Sequence, residues 1–534
     1  MRGLFVAAPV ALATIAAVAA LDACATTSSS PGVDVADGSV LTGDAAVDAL
    51  GAGDGAAPSE GGASDAGADG FAQGDADAGP PATPTLIELT GTTGWQIFPG
   101  GGYRYGPSIL VEDDGTTHMW TCSPGANGAW DYVRYRKSTD GAHTWTPDVV
   151  ALQPTAGTRD AFSACDPGAI KIGAYFYVGY TSTEDSRGTN NQLYVARATA
   201  AEGPYEKWNG TGWGGAPQPI VTYAGDASKY GIGEPSLVVA LGKLWVFHSY
   251  VDANGYTDVA VADDPTLPDW PAHLVRKGHV ITRRANAEDS TDLKWVDALG
   301  RFVGVTTVDR FGPNATIGVY QSYDGLAFEP APFKGARVQQ GAHNAGISGN
   351  LTGHVDGKHP TFIAYAYQPA TSSWGDWPTF VDPVALSTVP YGATVGGAVS
   401  SIVDWNWSGP KLWDGDGQTL FSSVAHGATD VATETAAVDL GSSRTIAGVT
   451  ITPRGAGYGF PVDFALETSD DGATWTAVPG EGHTAFANPG STPVMRTFAA
   501  PVKARWLRLV ATKLGADDNG GHYLQLAELT PLAN

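Results

Sequence analysis

Short runs of aromatic and β-branched residues recur along the middle of the chain, and each run has the alternating pattern of a β-strand. A short apolar stretch ending in a Gly turn precedes each run, and a further strand-like segment follows most of them. No amphipathic helix of useful length separates the units. The five runs are THMWTCS from Thr117, AYFYVGYTST from Ala174, KLWVFHSY from Lys243, RFVGVTTV from Arg301 and TFIAYAY from Thr361.

Five such units, each of three or four antiparallel strands, recur at intervals of about 50 to 70 residues and predict a five-bladed β-propeller. This all-β fold arranges its sheets radially and so protects most strand edges. We assign the propeller to residues 86–393. The segment TLIELT, from Thr85, is expected to supply the outer strand that completes the last blade.

Three carboxylates share a similar position relative to the Gly turns. Asp166, Glu234 and Asp292 each lie seven or eight residues before such a turn. Because the first strand of each propeller blade lines the central channel, we expect these side chains to converge on one funnel. The corresponding positions in the first and last blades are the Gly106 region and His343–Asn344.

Two of these motifs also have a purely structural interpretation. An acidic residue before Pro at the start of a strand often accepts backbone N–H bonds, while Pro occupies a position that needs no ladder donor. Three carboxylates at a similar position relative to their Gly turns favour a functional site over a purely structural role in the turns. Nearby polar and aromatic residues are candidates for substrate contact: Arg104, Tyr105, Arg159, Asp160, His343 and Asn344.

Two segments, CDPGAIKIGAYFYVGYTST from Cys165 and GEPSLVVALGKLWVF from Gly233, resemble the five-bladed glycoside hydrolases typified by glycoside hydrolase family 43. The resemblance covers about residues 86–390. It implies a general base, a second carboxylate that orients and tunes, and a Glu as general acid. On this basis Glu234 is the acid, and Asp166 and Asp292 compete for the roles of base and modulator.

The first blade departs from the family pattern. Such enzymes usually place the base Asp there, where this chain has Gly106 in YGPSI. Either the acids are redistributed among the other blades or the site has lost its chemistry. Clustered carboxylates raise one another's pKa, which keeps one of them protonated near neutral pH, as cleavage of a glycosidic bond requires.

Other motifs indicate structure rather than chemistry. STDGAHTW (Ser138–Trp145) resembles the Asp-box of sialidases, and SYDGLAF (Ser322–Phe328) is a weaker version, so we expect both to brace hairpin turns. The histidines lack the His-x-x-x-His spacing of a zinc site. No Gly-rich phosphate loop follows a strand and precedes a helix, so we expect no nucleotide and no required cofactor.

The pattern changes after about Thr394. Segments such as LWDGDGQTLFSS and KARWLRLVATKL resemble the discoidin, or coagulation factor 5/8 type C, module. The resemblance extends over residues 394–534, and the alternating strands independently indicate a β-sandwich. Bacterial relatives, grouped as carbohydrate-binding module family 32, bind sugars with loops at one end. Candidate sugar contacts here are Trp405, Trp407, Arg454 and Tyr458, whereas Trp413 is expected in the core.

A structural Ca²⁺ often accompanies this module, and the resemblance implies that DGDG at Asp414–Gly417 helps to bind it. The formal net charge of the chain is −25. Because a phosphate-binding surface needs clustered Lys and Arg, this charge argues against nucleic acid or anionic lipid as a partner. A polysaccharide or oligosaccharide fits the composition better, and we expect a monomer.

The N-terminus is typical of an exported protein. Residues 1–24 contain Arg2 and an apolar run, which indicate a signal peptide, and LDAC resembles a bacterial lipobox that would be lipidated at Cys24. Residues 25–85 are rich in Ala, Gly and Asp, contain ten acids and no Lys or Arg, and predict a disordered tether. The expected location is the outer membrane or cell surface, with secretion as the alternative.

Two further cysteines, Cys122 and Cys165, fit a disulfide or two separate buried thiols equally well. Together the features favour a surface-anchored glycoside hydrolase whose C-terminal domain binds its polysaccharide. The alternative is a surface lipoprotein that binds glycans or serves adhesion without catalysis. The membrane is expected to be contacted only through the lipid anchor.

Overall fold

The computed structural model describes residues 85–533, except 284–287, 289, 311, 313, 336–341 and 368–374. The predicted signal peptide, the lipidation site Cys24 and the tether before Thr85 lie outside the described residues. None of the described helices is long and apolar enough to cross a membrane. Those helices are short 3-10 turns at Trp270–His273, Trp405–Trp407, Gly409–Leu412 and Gly455–Gly457.

Nearly all regular structure in the described residues is β, as the sequence predicts. The chain begins with β1 (Thr85–Gly91) and β2 (Trp95–Phe98). Four antiparallel sheets follow, each built from consecutive strands. They are β3 (Tyr105–Val111), β4 (Thr117–Pro124), β5 (Asp131–Ser138) and β6 (Val149–Leu152) in blade one; β7 (Cys165–Ile172), β8 (Tyr175–Ser182), β9 (Gln192–Ala198) and β10 (Glu206–Lys207) in blade two; β11 (Gly231–Ala240), β12 (Lys243–Val251), β13 (Gly255–Ala262) and β14 (Val275–Thr282) in blade three; and β15 (Asp292–Val296), β16 (Arg301–Val308), β17 (Thr316–Ser322) and β18 (Glu329–Ala331) in blade four.

Blade five closes the ring with strands from both ends of the propeller. Its elements are the short β19 (Phe333–Lys334), β20 (Ala342–Ile347), β23 (Phe362–Tyr367) and β24 (Thr379–Pro390), with two short strands, β21 (Gly349–Asn350) and β22 (His354–Val355), between β20 and β23. β1 pairs antiparallel with β24 from Thr85↔Pro390 to Gly91↔Val384. The predicted completion of the last blade by TLIELT is therefore confirmed.

The first strands of the blades form the inner ring. β3 packs against β7, β7 against β11, β11 against β15, β15 against β20, and β20 against β3. The hydrophobic core lies mainly between neighbouring blades, where aromatic residues such as Trp120, Trp270 and Phe302 are fully buried. This closed ring of five is the predicted five-bladed propeller, and it brings the starts of five strands together.

One loop closes the opposite end of the channel. β21 pairs in parallel with β3, and β22 pairs in parallel with β15. Between them, the carbonyl groups of Leu351 and Thr352 accept hydrogen bonds from the backbone N–H groups of Lys171 in blade two and Val239 in blade three. Residues 349–355 therefore contact the first strand of every other blade.

A disulfide joins Cys122 on β4 to Cys165 on β7. The sequence left this pairing open, because the two residues are 43 positions apart and belong to different blades. The bond crosslinks blades one and two beside the start of β7.

The Asp-box turns have the structural role that the sequence predicts. The Ser138 hydroxyl donates to Asp140, whose carboxylate accepts from the backbone N–H of Thr144 at 2.8 Å. Ser322 and Asp324 make the same arrangement. These side chains satisfy backbone donors within their own turns.

The C-terminal domain begins after β24 and folds around its own hydrophobic core. Its strands are β25 (Gly396–Val399), β26 (Phe421–Ser422), β27 (Glu434–Pro453), β28 (Asp463–Ser469), β29 (Thr476–His483), β30 (Val494–Lys513), β31 (Gly515–Ala516), β32 (His522–Tyr523) and β33 (Gln525–Ala533). Buried Phe421, Phe464 and Leu507 lie in this core, and Trp413 packs against it as predicted.

Candidate active site

A cavity that is open to solvent lies where the first strands of the blades begin, and its empty space, counted out into the solvent, is about 310 Å³. All five blades contribute to its wall. The lining residues are Gly106, Pro107, Asp166, Pro167, Glu234, Pro235, Ser290, Thr291, Asp292, Asn344 and Ala345. The structure therefore brings together the three carboxylates that the sequence singled out, with Asn344 from blade five.

Four of the five blades present a left-handed residue to this cavity. The φ angles are +57° at Gly106, +48° at Asp166, +53° at Glu234 and +42° at Asn344. Each lies at a β-bulge, where the pairing of the first strand with the second shifts register. A left-handed conformation costs a non-glycine residue roughly 1–2 kcal/mol, and such strain is concentrated at functional sites.

Asp292 is not in this left-handed conformation. Its strand pairing shows that the predicted alignment of Asp292 with Asp166 and Glu234 is wrong. It pairs regularly with Val305, at the position that Ser236 occupies in blade three, so Ser290 is the true counterpart of Glu234. The hairpin turn after β15 has four residues, whereas the turns after β7 and β11 have two. The longer turn means that counting back eight residues from Gly300 reaches Asp292, two residues after the true counterpart, Ser290.

Asp292 is held firmly by groups from three blades. Its carboxylate lies 2.8 Å from the Lys294 ammonium, accepts the Ser236 hydroxyl at 2.6 Å and accepts the backbone N–H of Ile347 at 2.8 Å. Lys294 is almost completely buried, with a side chain 2% exposed. Because a buried ammonium needs a compensating charge, the two residues form a fixed polar unit beside the cavity.

Glu234 also has partners that the sequence did not indicate. The Ser249 hydroxyl donates to Glu234 Oε2 at 2.5 Å, and Arg283 Nη2 lies 3.6 Å from the same oxygen. Arg283 also donates to Ser249 at 3.0 Å. Ser249 lies on β12, the second strand of blade three, and Arg283 directly follows β14, the fourth strand. No local sequence motif marks either residue.

Asp166 lies beside the interblade disulfide, with Oδ1 3.2 Å from Cys165 Sγ. Tyr230 is close to both Asp166 and Glu234. Burial raises the pKa of the Tyr230 hydroxyl well above its usual value, and the negative charges of Glu234 and Asp166 raise it further. A neutral tyrosine therefore lies near both carboxylates.

The aromatic and basic candidates of blades one and five lie behind the cavity wall. The Tyr105 ring packs 4.9 Å from the ring of His343, which lies 5.0 Å from Trp377. Arg104 forms a salt bridge of 2.7 Å with Asp148. None of these residues is among those that line the cavity.

Arg159 and Asp160 lie away from the cavity lining. Asp160 is fully buried, 2.5 Å from the Lys207 ammonium, and accepts the Tyr180 hydroxyl at 2.9 Å. Arg159 is exposed beside Gln218. The sequence motif RDAF drew attention to this pair, but the burial of Asp160 assigns that residue to blade packing.

Three of the four predicted sugar contacts in the C-terminal domain come together. The Arg454 guanidinium lies 5.1 Å from the ring of Trp407 and 5.2 Å from the ring of Tyr458. Arg454 also donates to Gln525 at 2.9 Å and pairs with Asp518 at 3.2 Å. Trp405 begins the 3-10 helix that ends at Trp407. Aromatic faces beside hydrogen-bonding groups suit a sugar ring.

Acidic residues in and beside the DGDG loop form a separate cluster in this domain. Asp414 is buried and accepts the Thr419 hydroxyl at 2.9 Å. Burial, followed by the charge of nearby Asp414, raises the pKa of Glu528 to about 8. The buried carboxyl group of Asp414, the half-buried carboxyl group of Glu528 and the Thr419 hydroxyl are oxygen ligands of the kind that Ca²⁺ prefers, so these residues fit the ion that the family resemblance implies.

Comparison with known proteins identifies the C-terminal domain. The F5/8 type C domain model matches residues 397–529, so the C-terminal domain is a discoidin-like F5/8 type C domain. No curated protein matches the chain.

Many solved structures are similar to parts of the chain, and three of them serve as examples. A family 117 glycoside hydrolase produced by the marine bacterium Zobellia galactanivorans is 16% identical, with a TM-score of 0.40, over 57% of this chain and 90% of that chain. A thermostable family-43 glycoside hydrolase is 12% identical, with a TM-score of 0.40, over 53% and 92%. A family 32 carbohydrate-binding module from a family 31 glycoside hydrolase of Clostridium perfringens is 22% identical, with a TM-score of 0.23, over 26% and 90%.

Proposed function

We propose that the protein is a glycoside hydrolase that cleaves a glycosidic bond in a polysaccharide, which its C-terminal domain also binds. One observation carries the proposal: Asp166 and Glu234, both in strained left-handed conformations, line the same cavity as Asp292. Turn chemistry alone does not require two strained carboxylates from different blades to meet. Their convergence therefore favours catalysis.

Glycosidic cleavage needs two carboxyl groups with different tasks. One protonates the leaving oxygen as its bond to the anomeric carbon breaks, and the other takes a proton from the attacking water or attacks the carbon itself. Asp166 and Glu234 are suited to these tasks. Asp292, whose charge is compensated by Lys294, is suited to orienting the sugar and holding the neighbouring strands in place.

The contacts of Glu234 bear on which residue donates the proton. The Ser249 hydroxyl and the Arg283 guanidinium both face Oε2. Both stabilise negative charge, and the ionised carboxylate is the form that a base or nucleophile uses. We therefore assign this role to Glu234 and the proton donor to Asp166, the reverse of the assignment favoured by the sequence.

Leaving-group dependence tests this proposal. After a polysaccharide panel has identified the substrate, Asp166→Asn and Glu234→Gln should each lower turnover by about 10²- to 10⁴-fold. On an aryl glycoside with an activated leaving group, Asp166→Asn should recover and Glu234→Gln should not. Glu206→Gln, at an exposed carboxylate of blade two, is the control. Recovery of Glu234→Gln instead would return the donor role to Glu234, and wild-type rates in both variants would exclude hydrolysis at this cavity.

Gly106 favours a second candidate function, glycan binding without catalysis. Blade one presents no carboxylate to the cavity, whereas the C-terminal domain has its own cluster around Arg454. In this case the full-length protein should bind a polysaccharide from the panel and release no product. Export, lipidation of Cys24, surface location and the monomeric state stay predictions from the sequence.

We also propose a structural Ca²⁺ in the C-terminal domain, held by Asp414, Glu528 and Thr419. The ion would replace the proton that the raised pKa of Glu528 retains at neutral pH, and it would neutralise both carboxylates. After treatment with EDTA, added Ca²⁺ should raise the melting temperature of this domain, with about 2.7 kcal/mol of stabilisation at 100 times Kd. Asp414→Asn should abolish the effect, whereas Asp430→Asn, in an exposed turn, should retain it. An unchanged melting temperature with Ca²⁺ would exclude the site.

A further inference from the structure

The wall of the cavity has a gap at Gly106. A Cβ atom built on this residue would lie 3.4 Å from both the Cα and the Oδ1 atoms of Asp166 and 3.7 Å from Asn344 Nδ2. A carboxylate oxygen and an amide nitrogen therefore both face the space above the glycine. Asp166 comes from blade two and Asn344 from blade five, the two neighbours of blade one.

The backbone does not require glycine at this position. Asp166, Glu234 and Asn344 carry side chains at the equivalent bulges with φ values within 15° of that of Gly106. The atoms nearest to an added Cβ are at ordinary van der Waals distances rather than clashing. A side chain could therefore be accommodated, and what glycine uniquely supplies is space next to two polar groups.

Those two groups define what the space can hold. A carboxylate accepts hydrogen bonds, and an amide nitrogen donates them. A hydroxyl oxygen does both, so one O–H group can donate to Asp166 while accepting from Asn344. We propose that the space over Gly106 is a binding niche for a single hydroxyl, either of a water molecule or of the sugar ring. This inference rests on the proposed function, because it assigns a subsite within the same cavity.

The variant Gly106→Ala tests the niche, since its methyl group would occupy the space. Gly173→Ala is the matched control: Gly173 has a φ of +59°, nearly that of Gly106, and an added Cβ there meets nothing within 4 Å. Both variants carry the same backbone strain, and only the first fills the niche.

Crystal structures of the full-length wild type and both variants give the readout that is independent of activity. We expect a water within hydrogen-bonding distance of Asp166 and Asn344 in the wild type and in Gly173→Ala, and none in Gly106→Ala. A dry niche in the wild type, or an unmoved water in Gly106→Ala, would overturn the proposal.

Kinetics and binding then distinguish the two sources of the hydroxyl. If the niche holds the attacking water, Gly106→Ala should lower kcat by about 10- to 100-fold with KM unchanged. If it holds a sugar hydroxyl, the affinity for the oligosaccharide cleaved by the wild type should fall by about tenfold, measured calorimetrically in the Glu234→Gln background. Equal behaviour of the Gly106→Ala and Gly173→Ala variants in both assays would overturn the niche even if hydrolysis is established. If the wild type cleaves nothing, the proposed function fails and the crystal structures still decide the niche.

Discussion

At the scale of single residues, the buried polar groups of the propeller differ in how their charges are compensated. Lys294 has a carboxylate beside it, whereas His248 on β12 is completely buried and kept neutral. Burial lowers the pKa of His248 to about 4, although the charge of Asp258 acts in the opposite direction. Because burial outweighs the charge of Asp258, protonation of His248 is unfavourable in the core of blade three.

This residue predicts how stability depends on pH. Below about pH 6.5 the unfolded chain binds a proton at His248, whereas the folded protein does not bind one until about pH 4. The free energy of unfolding should therefore fall as pH drops through this window. Differential scanning calorimetry from pH 7 to pH 4 should show a smaller decline for His248→Gln than for the wild type. His273→Gln, at an exposed histidine, should follow the wild type.

At the scale of elements, the loop of residues 349–355 closes the ring formed by the first strands of the blades. It adds short parallel pairings to β3 and β15 and backbone hydrogen bonds to blades two and three. Gly353 has a φ of +81°, and a Cβ added to it would lie only 3.1 Å from the carbonyl oxygen of Leu237 on β11. The loop therefore depends on glycine for both conformation and space.

Gly353→Ala should destabilise the propeller by about 1–3 kcal/mol, because it combines backbone strain with crowding against β11. Gly357→Ala is the control, since its φ is +70° and an added Cβ there meets nothing within 4 Å. It should cost only the strain, about 1 kcal/mol. Urea unfolding followed by tryptophan fluorescence measures both. Equal losses in the two variants would show that the close approach to β11 does not contribute.

At the scale of the whole molecule, the propeller cavity and the Arg454 cluster occur on different domains. The contacts between the domains include the backbone N–H of Gly409, which donates to Asn314 at 3.0 Å, and that of Gly335, which donates to the Asp414 carbonyl at 2.9 Å. Neither contact involves a candidate sugar-binding or catalytic side chain. Substitutions at one site should therefore leave the other intact.

Arg454→Ala should weaken binding to the insoluble polysaccharide by about tenfold or more, because it removes the guanidinium that contacts the rings of both Trp407 and Tyr458. Its turnover of a soluble oligosaccharide should equal that of the wild type. Glu234→Gln should show the opposite pattern. Pull-down with the insoluble substrate and product release give the two readouts, and Arg187→Ala, at an exposed arginine, is the control. Loss of turnover in Arg454→Ala would contradict two independent sites.

The sequence by itself determined the features that repeat or alternate locally. Five aromatic runs with Gly turns define five blades, and an unpaired strand at Thr85 has its partner at the other end of the propeller. The position of Asp166 and Glu234 before Pro at strand starts sufficed to predict their convergence, because a propeller brings the starts of its first strands to one place. The discoidin motifs likewise identified the C-terminal domain.

Only the tertiary structure decided contacts between residues that are distant in sequence. The phase of Asp292 depends on the length of a hairpin turn, and the pairing of Cys122 with Cys165 depends on the packing of two blades. Arg283 and Ser249 reach Glu234 from other parts of blade three, and the buried Asp160 pairs with Lys207. Strand periodicity is a local property of the chain, whereas burial and charge compensation arise only when separate blades pack together.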